Sequence, residues 1–292
     1  MNEMKGNSLA VFNSNDIYPV SADSELPFEQ HRDIFHLTGI DQEETILLLY
    51  PPSKDDKTRE ILFIRKSDNH TKVWEGEKLS KKQANELSGI DSIYFIDDFK
   101  DILSSIATKV DTFYINKNEH YRANSPVETR EDRFISWLLK KYPAHNVAKS
   151  NPILQRQRSI KHPDEIDQIK KACDITMKGF NRVLEFIKPN VWEYEIEAEF
   201  IHEFLRYRSK KFAYTPIIAS GNNANILHYI ENNKQCKDGE LILMDVGAEY
   251  ANYSSDMTRT IPVSGRYSKR QKDIYNACLL YTSPSPRDRQ KC

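Results

Sequence analysis

The sequence predicts an α/β domain followed by an α+β domain. In the first 150 residues, short apolar segments alternate with helical patterns, at residues 45–50, 60–65, 92–96 and 112–115. Strands separated by single helices are typical of an α/β domain with a largely parallel sheet. After residue 150, two amphipathic helical patterns come first and strand-like segments follow. That order indicates an α+β domain.

Three helices are predicted within the first domain. Residues 80–87 and 98–107 have helix-forming composition, and residues 130–142 form an amphipathic pattern with Phe134, Trp137, Leu138 and Tyr142 on one face. The polar stretch at 145–150 is expected to be the domain boundary. We therefore expect the first domain to cover residues 1–150.

The second domain begins with two predicted helices. Pro163 and the two acidic residues after it are typical of a helix start. Helical spacing predicts a buried face at positions 166, 169, 173, 177, 180, 184 and 187. The second helix runs over about residues 193–210 and is expected to bury Ile196, Phe200, Phe204 and Leu205. Strands are then predicted at 214–219, 241–244 and 253–263.

Composition excludes several classes of partner. The chain has 42 basic and 43 acidic residues, a net charge of −1, so it has no general attraction for nucleic acid or anionic membrane. No apolar run approaches the roughly 20 residues of a membrane helix, and the N-terminus lacks the apolar region of a signal peptide. The four cysteines are scattered without a C-x-x-C pair. We therefore expect a cytoplasmic protein that binds neither nucleic acid nor membrane.

Two aspartates are the strongest chemical signal. Asp245 ends an apolar strand, and a hairpin that pairs Gly247 with Ser254 would place Asp245 opposite Asp256. Opposed carboxylates, with Cβ atoms about 5 Å apart, repel each other unless a cation lies between them or one is protonated. Oxygen ligands on rigid strands suit a divalent ion such as Mn²⁺. The alternative is that both are surface residues flanking a turn, and a one-residue slip would turn one carboxylate away.

Several segments resemble the aminopeptidase P and prolidase branch of the creatinase, or pita-bread, family. Residues 226–229, 238–250 and 255–260 resemble its catalytic domain, and the two aspartates have the family's eleven-residue interval. Residues 15–16, 27–28, 35–40 and 74–76 resemble its N-terminal domain. The resemblance extends over about residues 9–277. It implies a creatinase-type N-terminal domain and, at 151–277, the first half of a pita-bread domain.

The resemblance also implies an activity, the release of an N-terminal residue that precedes proline in a peptide. Asp245 would bind one of two divalent ions, expected to be Mn²⁺, and Asp256 would bridge both. A hydroxide between the metals would attack the scissile carbonyl. His228 would contact substrate and help transfer a proton near the leaving nitrogen, although a purely structural histidine is the alternative. Tyr229 would line the substrate pocket.

Quaternary structure is a further implication of the resemblance. Relatives often form dimers or tetramers, so a homo-oligomer is expected for the intact protein. Trp74 would either help shape a neighbouring subunit's site or pack in the core.

The family site also requires a histidine and two glutamates downstream, and no histidine or glutamate follows Asp256. The 292-residue chain is therefore expected to be inactive. Residues 272–277 suit the family's next helix, whereas 278–288 match nothing in the family and can be encoded by a sequencing-adaptor sequence. We expect residues 278–292 to be a non-native tail; a natural disordered tail is the alternative.

Two other functions fit parts of the pattern. A prolidase, which cleaves only Xaa-Pro dipeptides, would share the same motifs. A non-catalytic binding protein on the same fold would be expected to lose metal ligands, and the retention of both Asp245 and Asp256 argues against it.

Overall fold

The computed structural model describes residues 1–117 and 126–282, which form two compact units. The first is Met1–Ile160, and the second begins at Lys161. Of the predicted tail, residues 283–292 lie outside the described residues. No helix in the described ranges combines the length and apolar character needed to cross a membrane.

The first unit is built on a six-stranded mixed sheet. In sheet order β4-β3-β2-β1-β5-β6, the β1–β2 and β2–β3 pairs are antiparallel, and β3–β4, β1–β5 and β5–β6 are parallel. The α/β prediction is confirmed. The strands are β1 (Ser8–Asn13), β2 (Ile46–Leu49), β3 (Glu60–Ile64), β4 (Ser92–Phe95), β5 (Thr112–Ile115) and β6 (Asn146–Lys149). The helices are α1 (Arg32–Thr38), α2 (Asn69–Trp74), α3 (Lys81–Ser88), α4 (Phe99–Ala107), α5 (Arg130–Lys141) and α6 (Asn151–Ser159).

Local sequence explains the helix ends. Ser80 and Gln83 form a capping box at the start of α3, and Thr129 and Asp132 form another at the start of α5. The predicted apolar face of α5 packs against one of the unit's core clusters, with Leu138 fully buried.

The polar stretch at 145–150, expected to be the domain boundary, lies within the first unit. Most of it is β6, the edge strand of the sheet, and its side chains are largely exposed. An edge strand with solvent on its outer side needs no apolar run, which is why the sequence pattern did not indicate a strand. The unit then continues through α6, whose Leu154 is buried in the core. The division therefore falls after Ile160 rather than at residue 150.

The second unit packs two helices against a small antiparallel sheet. Helices α7 (Pro163–Phe186) and α8 (Glu193–Arg206) precede β7 (Ile217–Ser220), β8 (Leu241–Val246) and β11 (Met257–Pro262), in sheet order β11-β8-β7. A short hairpin, β9 (Glu249–Tyr250) and β10 (Tyr253–Ser254), joins β8 to β11. Helix α9 (Lys269–Thr282) follows. The α+β prediction is confirmed.

The predicted buried face of α7 is largely wrong. Ile166, Met177 and Leu184 are 40%, 48% and 52% exposed, whereas the buried positions are Ala172, Ile175, Thr176, Gly179, Phe180 and Val183. The physical reason is close packing against α8: a Cβ added to Gly179 would lie 2.7 Å from a ring carbon of Phe204. Gly179 lets the rings of Phe200 and Phe204 approach α7 closely, so the side of α7 that carries Gly179 faces α8. Leu205 of α8 was also expected to be buried and is 58% exposed.

Candidate metal centre

Asp245 lies on β8, whose two faces differ in environment. Ile242, Met244 and Val246 are fully buried on one face, and the alternation of a strand places Asp245 on the other, where it is partly exposed. The carboxylate is therefore rigidly held by a core strand without being enclosed in the core.

The register of the hairpin differs from the predicted one by two residues. Asp245 lies opposite Thr258, not Asp256, because the turn is formed by Ala251 and Asn252 and pairs Glu249 with Ser254. Both turn residues have left-handed backbones, with φ of 49° and 67°, as in the tightest hairpin turns.

A two-residue shift preserves the face on which each side chain lies, since strand side chains alternate with period two. Asp256 is thus on the same face as Asp245, as its diagonal neighbour rather than its direct partner. Diagonal neighbours remain within reach of a common group.

The hydroxyl of Tyr214 brings the two carboxylates together. It lies 2.6 Å from Oδ1 of Asp245 and 3.0 Å from Oδ1 of Asp256. Burial, followed by the hydrogen bond to Asp245, raises the pKa of Tyr214 well above its usual range, so the phenol stays protonated and able to donate. Tyr214 was not predicted as a site residue. The available signal was its place just before β7, the strand that pairs Ile217 with Asp245.

Backbone packing fixes the position of Asp256. Its neighbour Ser255 is buried, and the Ser255 hydroxyl lies 2.6 Å from Oγ1 of Thr176 on α7. The backbone N–H of Ala248 donates to both hydroxyls, at 3.0 and 2.8 Å. Gly247 allows this approach, since a Cβ there would lie 2.0 Å from the carbonyl oxygen of Ser255.

The other predicted site residues lie outside strands β8 and β11. His228 is exposed on the loop 226–235, beside Leu227, which is 90% exposed. Tyr229 is only 7% exposed, and its hydroxyl donates to Oε2 of Glu193 at 2.7 Å in the interior of the second unit. Trp74 is 76% exposed and stacks on His70, so the alternative of core packing is wrong.

The residues present fit part of a divalent metal site. Two carboxylates on adjacent strands converge at one point, and carboxylate oxygens are ligands that hard divalent ions prefer. Within residues 1–117 and 126–282, no group of three or more His, Cys, Asp or Glu side chains is arranged to hold a metal ion. The two aspartates are therefore a partial ligand set.

Two family profiles match the chain, one in each unit. The profile described as "Aminopeptidase P, N-terminal domain" matches residues 1–114, and "Metallopeptidase family M24" matches residues 167–282. Among curated relatives, Xaa-Pro aminopeptidase of Escherichia coli K12 is 32% identical over 265 residues, which is 89% of this chain and 59% of the relative. Human Xaa-Pro aminopeptidase 3 is 30% identical over 269 residues, covering 91% and 52%.

Solved structures agree with these matches. Zn-substituted E. coli aminopeptidase P in complex with product superposes with a TM-score of 0.84 at 31% identity, covering 95% of this chain and 63% of that one. Aminopeptidase PepP of Pseudomonas aeruginosa gives a TM-score of 0.85 at 30% identity, covering 96% and 63%. The chain spans less than two thirds of the length of each of these relatives. With an aminopeptidase P N-terminal domain followed by an M24 segment, the chain belongs to the aminopeptidase P branch of metallopeptidase family M24.

Proposed function

We propose that the intact protein is an Xaa-Pro aminopeptidase in which Asp245 and Asp256 supply the first part of the metal site. The observation that carries the proposal is the convergence of both carboxylates on the Tyr214 hydroxyl. The names of the relatives, all Xaa-Pro aminopeptidases or aminopeptidases P, support the same substrate class.

Each residue has a distinct role in this proposal. Asp245 and Asp256 would hold two divalent ions, of which we propose Mn²⁺ as the natural metal, although one E. coli relative is described with Zn. When bound, the metals would supply an activated water and polarise the scissile carbonyl. Tyr214 would orient both carboxylates through its hydroxyl. His228 would contact the substrate and carry a proton near the leaving nitrogen.

We further propose that the 292-residue chain is inactive by itself. Two carboxylates are too few for the family site, and no histidine or glutamate follows Asp256. An intact form should be a homo-oligomer, in which the exposed Trp74 lies near a second subunit. A cytoplasmic location is supported by Cys173 and Cys236, which form no disulfide.

Titration of the chain with Mn²⁺, followed by loss of the free-ion EPR signal, tests the metal site. We expect weak but measurable binding that is lost in D245N and in D256N, because each variant removes a charged ligand. D238N is the matched control, since Asp238 is an exposed loop residue away from the paired strands. Equal binding by all four proteins would overturn the assignment.

Substrate class is tested with a longer form that includes the downstream ligands. We expect release of the first residue from Xaa-Pro-Xaa tripeptides, and exclusive cleavage of Xaa-Pro dipeptides would identify a prolidase instead. Metal-dependent release of an amino acid by the 292-residue chain would contradict the proposed inactivity.

A further inference from the structure

Glu193 is a fully buried carboxylate at the first position of α8. Its two oxygens accept four hydrogen bonds. Oε1 accepts from the backbone N–H and the hydroxyl of Ser220, at 2.6 and 2.7 Å, and Oε2 accepts from the Tyr229 hydroxyl and the backbone N–H of Lys234, at 2.7 and 3.0 Å. Burying a carboxyl group is costly unless such partners compensate it. All four donors come from segments outside α8, so the side chain connects those segments to the helix.

Two of these donors belong to the loop 226–235, which carries His228. Tyr229 follows His228 directly, and Lys234 lies near the end of the loop. Burial, followed by the hydrogen bond to Glu193, raises the pKa of Tyr229 to about 12, which keeps its hydroxyl protonated as a donor. The loop has no strand or helix of its own between Ile226 and Lys234. Its conformation therefore depends on such side-chain bonds.

The other two donors belong to the sheet that carries the aspartates. Ser220 ends β7, and β7 pairs with β8 so that Ile217 lies opposite Asp245. One carboxylate thus links the loop of His228 to the strand beside Asp245. The Lys234 ammonium strengthens the link by donating to the carbonyl oxygen of Ser220 at 3.0 Å and to Glu240 at 2.9 Å.

We propose that Glu193 is a positioning residue that sets the place of His228 relative to Asp245 and Asp256. The functional part of this inference rests on the proposed role of His228 in substrate binding. Glu193 itself is enclosed and is not a catalytic residue.

The donor set explains why a carboxylate is required. Each oxygen of Glu193 faces one backbone N–H, that of Ser220 or that of Lys234, and a backbone N–H can only donate. A glutamine would have to point its NH₂ group at one of these two donors, whichever way its amide is turned. E193Q therefore leaves one buried N–H unpaired while changing side-chain volume very little, and an unpaired buried donor is costly.

Hydrogen exchange of the complete 292-residue chain tests the link without any metal. In E193Q, peptides covering 226–235 should exchange roughly tenfold faster or more, while peptides from β8 and β11 keep their wild-type rates. E199Q is the matched control, because Glu199 lies on the same helix but pairs with Arg182. If E193Q does not fold, Y229F carries the test: it removes one donor, keeps the Glu193 side chain, and should still loosen the loop.

The position of His228 is measured by NMR of the histidine-labelled chain. Added Mn²⁺ should broaden the ring signals of His228 in the wild type and in E199Q, and broaden them less in E193Q or Y229F. The inference would be overturned if folded E193Q, or Y229F, kept the wild-type exchange rate of peptides 226–235 and also kept the wild-type His228 ring signal. If Mn²⁺ broadens nothing in the wild type, the metal proposal fails, and loop exchange and the metal-free His228 ring signal decide the role of Glu193.

Discussion

Substituting Gly247 with alanine should separate the two aspartates. A Cβ at this position would lie 2.0 Å from the carbonyl oxygen of Ser255 and 2.8 Å from its carbonyl carbon, whereas Cβ contacts under 3.0 Å are essentially never seen. The strand segment at Ser255 would have to move by about 1 Å. The obstacle is a backbone carbonyl group, which cannot rotate aside as a side chain can. Overpacking typically lowers the free energy of unfolding by about 1–3 kcal/mol, and we expect G247A to lie at the upper end of this range.

Movement of Ser255 carries Asp256 with it. The buried hydroxyl of Ser255 would leave Thr176 and Ala248, and Asp256 would leave the Tyr214 hydroxyl that it now shares with Asp245. Mn²⁺ binding should therefore weaken together with stability.

The stability of the second unit is measured by urea unfolding, with hydrogen exchange of β8 and β11 peptides as the readout. EPR titration measures Mn²⁺ binding. G6A is the control, because a Cβ at Gly6 meets nothing within 4 Å and should change stability by less than about 0.5 kcal/mol. If G247A kept the wild-type exchange of β8 and β11 and the wild-type Mn²⁺ affinity, close backbone approach would not be what positions Asp256.

Three further predictions concern single side chains. Y214F should weaken Mn²⁺ binding about tenfold or more, as loss of a ligand-orienting partner does, whereas Y253F, whose hydroxyl donates to Glu165, should not; equal EPR titrations would contradict this. Burial is the largest effect on Glu131 and raises its pKa, so folding of the first unit favours the protonated carboxyl group. The free energy of unfolding of the wild type should therefore fall relative to that of E131Q as the pH rises above about 4.5. A constant difference from pH 4 to 7 in urea unfolding would refute that reasoning. G179A should destabilise the α7–α8 pair by about 1–3 kcal/mol, since its Cβ would meet Phe204 at 2.7 Å, and unchanged exchange of α7 peptides would argue against it.

Short-range sequence features predicted most elements of the first unit. The apolar runs that became β2, β3 and β5 are continuous because these strands are covered on both faces. Strand β6 was missed because its exposed edge position requires no apolar pattern. The helix starts at Ser80 and Thr129 follow from capping chemistry, which involves only residues three positions apart.

The candidate site was predicted only in part. The motif around Asp245 and Asp256 indicated that both carboxylates belong to one site, and the period of two in a strand kept them on one face despite the shifted register. The hydrogen bond from the Tyr229 hydroxyl to Glu193 was not predicted, because Glu193 lies 36 positions away in sequence.

The amino-acid sequence was sufficient for the α/β then α+β order and for the choice of the two aspartates, because these depend on local composition and spacing, and its motifs indicated the family by resemblance. The hydroxyl that joins Asp245 to Asp256, the buried face of α7 and the contacts that hold the loop of His228 became known only from the three-dimensional structure. Each of these depends on contacts between segments that are distant in sequence. Gly247 against the Ser255 backbone and Gly179 against the Phe204 ring are two places where such a contact is close to its steric limit.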